Sequence, residues 1–109
     1  MGRSKKYIVG DNNRYHEAMP EIIWTSYLSY RATRRGFDLV LIEDILRFSS
    51  ERYYDAETDR EIVVGQHGKQ LVLIPYEQSE NTITPITIHA TTRQQIRFRL
   101  KTGRFITNA

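Results

Sequence analysis

Four consecutive apolar residues, Leu71-Val72-Leu73-Ile74, sit inside a tract that from Glu51 onward alternates with period two. A strand apolar on both faces marks the most buried strand of a sheet, so the rest of the fold must be arranged around it. The same tract is rich in β-branched and aromatic residues and is interrupted at Ala56-Glu57-Thr58-Asp59, His67-Gly68 and Gln78-Ser79-Glu80-Asn81. These breaks predict four strands, near 51–55, 60–66, 69–76 and 83–89. Each break is short enough for a hairpin, and His67-Gly68 is a plausible two-residue turn, so the expected sheet is an antiparallel meander.

Upstream the period changes. Trp24, Tyr27, Leu28 and Ala32 recur at helical spacing, so Ser26 can cap a helix through Arg35 that Gly36 stops. Asp38 then caps a second helix with the apolar stripe Leu39, Ile42, Ile45 and Leu46. Residues 1–20 are polar, with Gly10-Asp11-Asn12-Asn13 and Pro20 as turn and stop signals, and read as a flexible arm ahead of a single domain over 21–109. The last element is open to two readings. Ile96, Phe98 and Leu100 alternate with cations as in a strand, while Thr91-Thr92-Arg93-Gln94 has the form of a capping box and Gly103 would end a helix. The helix is preferred. The expected fold is therefore α+β: an N-terminal helical pair packed on a four-stranded antiparallel meander sheet, followed by a C-terminal helix.

The formal charge of +3 is unevenly spread. Asp11 to Glu80 holds 8 cations against 13 carboxylates, whereas Asn81 to Ala109 holds five cations and no carboxylate. Arg31, Arg34 and Arg35 add a basic face to the first helix. Such surfaces suit a polyanion, although a solvated surface is the plain alternative. Without cysteine there is no disulfide, thiolate nucleophile or cysteine-based zinc site, and His16, His67 and His89 fit no metal-ligand spacing. No metal or other cofactor is implied. No apolar run is long enough for a membrane span, and the start lacks the core of a signal peptide, which leads to an expected cytoplasmic location.

Two stretches resemble the BrnT-type toxins and their relatives in the RelE/ParE superfamily of small bacterial toxins. One runs from Arg31-Ala32-Thr33-Arg34-Arg35-Gly36-Phe37-Asp38 to Ile42-Glu43-Asp44-Ile45-Leu46. The other joins Arg60, Gly65 and the apolar strand to Tyr76 with Ile86-Thr87-Ile88-His89-Ala90-Thr91-Thr92-Arg93. The resemblance covers about residues 22 to 101. It implies an RNA-cleaving activity that stops translation and a cognate antitoxin as partner. Arg60 stands where the family places an Arg, Arg34-Arg35 where it commonly shows Lys-His, His89 where it more often has Arg, and Gln95 where it usually has Glu. The family's acid and base therefore do not transfer intact.

Metal-free RNA cleavage needs an activated 2′-oxygen, cations facing the phosphate, and a proton for the leaving 5′-oxygen. His89, at a strand end before a helix N-terminus, is the candidate acid or base, with Arg60 and Arg93 as catalytic cations. Arg34, Arg35 and Arg97 are candidates to hold phosphate, since guanidinium contacts it through two donors and stays charged. Tyr76, with Tyr53 and Tyr54, is a candidate to stack a splayed base. Each has a structural alternative: a hydrogen-bonded terminal His, a surface ion pair, or a core Tyr with its hydroxyl at the rim. The leading expectation is a metal-independent endoribonuclease neutralised by an antitoxin. The alternative is an inert RNA-binding or antitoxin-binding module on the same scaffold.

Overall fold

The computed structural model describes Met19 to Thr107. The expected arm lies outside the described residues as far as residue 18, as does His16. In chain order the elements are β1 (Glu21–Ile22), α1 (Ser26–Arg35), α2 (Leu39–Phe48), β2 (Arg52–Asp55), β3 (Arg60–His67), β4 (Gln70–Gln78), β5 (Thr82–Pro85), β6 (His89–Ala90), α3 (Arg93–Lys101) and β7 (Phe105–Thr107).

The helices begin and end for local reasons. Thr25, one residue before the expected Ser26, caps α1 by accepting from the Leu28 N–H at 3.1 Å. Gly36 ends it with φ of 76°, a left-handed conformation that costs glycine least. Asp38 caps α2 through the Val40 N–H at 2.8 Å, and its own N–H donates to His67 Nε2 at 2.8 Å. The end of β3 thereby anchors the start of α2, a more specific role than the turn position expected of His67. The β3–β4 turn falls one residue later than expected, at Gly68-Lys69, where Gly68 has φ of 62°.

The fold class is α+β, but the sheet is larger than the four-stranded antiparallel meander expected. It has seven strands in the order β1-β5-β4-β3-β2-β7, with β6 also paired to β4. It is mixed, because β1 runs parallel to β5. β1 and β7 escape a periodicity reading because they are only 2 and 3 residues long. The expected strand over 83–89 is two strands, separated by residues 86–88.

Alternation along β3 and β4 builds two cores. Val63, Val72, Ile74 and Tyr76 face the α1–α2 pair, meeting Leu28, Ala32, Ile42, Ile45 and Leu46. Ile62, Val64, Leu71 and Leu73 face the other way, onto Ile96 of α3 and Phe105 of β7. The unbroken apolar run at 71–74 exists because both faces of β4 are covered. The helical pair and the C-terminal helix thus lie on opposite faces of the sheet. Close approach of α2 to β3 requires Gly65: a Cβ there would stand 2.8 Å from both Cγ1 and Cγ2 of Ile45. Gly65→Ala is expected to lower stability by about 1–3 kcal/mol, the usual cost of overpacking, as read from the denaturant midpoint.

The last element is a helix, as preferred from the sequence, with its cap one residue later than read. Thr92 accepts from the Gln95 N–H at 3.1 Å, and the Gln95 side chain pairs with Thr91 Oγ1 at 3.1 Å. Ile96 and Leu100, four residues apart, turn inward, while Phe98 stays 65% exposed. The alternating apolar pattern arises from residues on two different faces of one helix.

Candidate anion-binding cleft at the sheet edge

The position of His89 depends on an irregularity in the sheet. Pro85 pairs with Tyr76 and His89 with Leu73, so four steps along one strand match three along its neighbour. One residue is extra between them, which makes a bulge. A one-residue shift sends side chains to the other face of a sheet. Ile83 before the bulge and Ile88 after it both enter the core under α1 and α2. His89 consequently shares a face with Leu73, on the side of α3, instead of the face it would have in a regular strand.

On that face lies a cleft of about 440 Å³. Ile62, Leu73, Pro75 and Ile86 form its apolar floor and wall, while its polar groups include Arg60, His89, Gln95, Arg99 and the pair Asp55–Arg104. Among the described residues no strand pairs with the free edge of β6, so His89 stands where the sheet opens to solvent. From the other side of the sheet Arg35 reaches the same segment, its Nη1 donating to the Ile88 carbonyl at 3.3 Å.

Burial first, and then the charges of Arg31, Arg35 and Arg99, push the His89 imidazole below its ordinary value of 6.5. The side chain is therefore neutral at pH 7, with a ring nitrogen free to accept a proton. This has a consequence for stability. Above pH 6.5 His89 is neutral in both folded and unfolded chains and contributes no pH dependence. Below 6.5 the unfolded chain binds the proton first, so this group makes stability fall with pH until the lowered folded value is passed. The melting temperature of the wild type is expected to drop between pH 7.5 and 5.5, and that of His89→Gln to drop less.

The candidate residues divide by their partners. Arg60 lines the cleft with His89, but its Nη1 pairs with Glu77 at 2.7 Å. Arg93 faces elsewhere, bound to Glu51 at 2.6 Å, so the catalytic role expected for it has no geometric support. Tyr76 is 3% exposed, packed in the core beneath α1 and α2 with the Arg52 guanidinium 5.4 Å from its ring centre. It cannot stack a base as expected. Tyr53 lies against Phe105 and bonds to Glu51, and burial with that bond pushes its hydroxyl up to about 12. Tyr54 bonds to Asp59. Arg34 stays on the outer face of α1, bonded to the Tyr30 hydroxyl at 2.8 Å, and Arg97 is exposed on α3.

Two cations that matter were not singled out for the site. Arg99 was hidden in the apparent strand alternation, and Arg31 was seen only as part of a basic helix face. Among the described residues, Arg31, Arg34, Arg35, Arg52, Arg97 and Arg99 have no carboxylate partner, whereas Arg47, Arg60, Arg93 and Arg104 do. The unpaired set includes the three that act on His89. No protein-family model, no curated protein and no solved structure matches the chain. No helix among the described residues is long and apolar enough to cross a membrane.

Proposed function

We propose that this protein binds the phosphate backbone of single-stranded RNA across the open sheet edge and cuts it beside His89, as the resemblance to small toxins implies. The observation that carries this reading is that Arg99 lines a concave cleft with His89 while Arg35 reaches the adjoining Ile88 carbonyl from the other face, neither paired with a carboxylate among the described residues, and the charge of Arg31 acts on the same imidazole. In the step proposed, His89 takes the proton of a ribose 2′-hydroxyl and that oxygen attacks the adjacent phosphorus. The bond from phosphorus to the 5′-oxygen breaks, and the departing oxygen is protonated by the imidazolium or by water. A 2′,3′-cyclic phosphate and a 5′-hydroxyl result. Arg35 and Arg99 would stabilise the charge that builds on phosphate. Arrest of translation and a partner antitoxin rest on the resemblance alone.

A specific observation favours a second reading, a module that binds RNA without cutting it. Besides His89, the cleft's other carboxylic or imidazole group among the described residues is Asp55, which is held by Arg104 Nε at 3.0 Å and Nη2 at 2.9 Å as a carboxylate with no proton to donate. Incubating purified protein with an end-labelled oligoribonucleotide separates the two. Under the first reading, His89→Ala slows cleavage by about 100-fold or more, and a 2′-deoxy residue at the cut blocks it. Salt-sensitive binding with no cleavage supports the second. Cleavage undiminished in His89→Ala overturns the assignment.

A further inference from the structure

Beside the cleft lies a second depression, an open groove of about 910 Å³ between α3 and the turn after β2. Gln95, Arg99 and Arg104 line both, so the groove and the cleft adjoin. The groove shares Arg99 and Arg104 with the cleft, the latter paired there with Glu57, and adds the Phe98 ring, 65% exposed, and the amide of Gln94. A large aromatic left in water on a helix whose inward face is supplied by Ile96 and Leu100 does nothing for the core.

We propose that this groove is a nucleobase subsite, in which the base next to the bound phosphate stacks on Phe98 while Gln94 and Gln95 contact its edge. The inference rests on RNA binding in the adjoining cleft. The arrangement suits the ligand: Arg99 lines both depressions and Phe98 lines the groove, so a base in the groove would adjoin a phosphate held in the cleft. Single-stranded RNA is held by aromatic faces that accept splayed bases, and side-chain amides bond to base edges. Gln95 already uses its carbonyl oxygen with Thr91, which leaves its amide N–H groups to donate. This subsite is distinct from Tyr53, Tyr54 and Tyr76, the candidates for stacking in the sequence, and it would confer whatever base preference the protein has.

The test is a fluorescence-anisotropy titration of a short oligoribonucleotide, intact or carrying one abasic residue at varied positions, against wild type, Phe98→Ala and Phe98→Trp at several salt concentrations. Phe98→Ala is expected to weaken binding of the intact strand about tenfold with the salt slope unchanged, because stacking is lost and no phosphate contact is. Phe98→Trp should bind as wild type does. One abasic position should weaken wild type and leave Phe98→Ala unaffected. Equal affinities for wild type and Phe98→Ala, alongside a steep salt slope, would overturn the subsite and leave phosphate binding standing. A wild type with no salt-dependent RNA binding would overturn both.

Discussion

Arg104→Ala is expected to be the most destabilising of the substitutions considered, costing about 3 kcal/mol. Arg104 grips the buried Asp55 through Nε at 3.0 Å and Nη2 at 2.9 Å, and its third nitrogen reaches Glu57 at 3.0 Å. The Asp55 side chain is only 3% exposed. Burial, the largest influence, would by itself raise its pKa. The bonds from Arg104, from the Glu57 N–H and from Thr58 outweigh it and hold Asp55 below the ordinary 3.8. Removing the Arg104 side chain strands a carboxylate in the interior, while the backbone bond from Ala56 N–H to the carbonyl of residue 104 beside the β2–β7 pair remains. For a domain of this size the loss corresponds to a melting temperature lower by about 12–20 °C. Thermal unfolding with Asp55→Ala and the double variant closes a cycle. The double variant should be less destabilised than the two single losses added together, since neither charge is then left alone. The native contribution of Asp55 is present above pH 3.8 and disappears as pH falls through its lowered folded value.

The second large effect concerns RNA. Combining Arg35→Glu with Arg99→Glu is expected to weaken binding of a short oligoribonucleotide by at least about 100-fold, as two charged contacts become two repulsions. These residues come from opposite faces of the sheet, so only a ligand that crosses the edge near His89 meets both. Either reversal alone should weaken binding less. Neither side chain has a carboxylate partner among the described residues to disrupt, and melting temperatures should stay within a few degrees of wild type. Reversing Arg93, which serves Glu51, should alter affinity far less.

Much of this arrangement is legible in the sequence, and the failures have physical causes. The double-faced run Leu71–Ile74, the Gly36 stop and the Asp38 cap state local rules that the folded chain obeys. Strands of 2 and 3 residues carry no periodicity, so β1 and β7 were invisible, and Arg104 looked like one more terminal cation when it is a buried-pair partner. His89 and Arg60, both candidates by residue type, line one cleft. The bulge that turns His89 toward α3 could not be read, because an added residue in a ladder shows only against the strand it pairs with. Which arginine is spoken for is likewise a matter of tertiary neighbours. Arg60 and Arg93 were attractive as free cations until Glu77 and Glu51 proved to hold them. Tyr76 on a strand looked available for stacking, but its register sends it under α1 and α2.

The central claim is that Arg31, Arg35 and Arg99 form a backbone-phosphate site around His89, and the salt dependence of RNA binding tests it most directly. Three phosphate contacts on a single strand give a logarithmic slope of about −2, so affinity for a short oligoribonucleotide should fall about 20-fold between 50 and 200 mM salt. The Arg35→Glu, Arg99→Glu pair should flatten that slope while the fold survives. A wild-type slope near zero, or a steep slope that the pair leaves unchanged, would contradict the assignment.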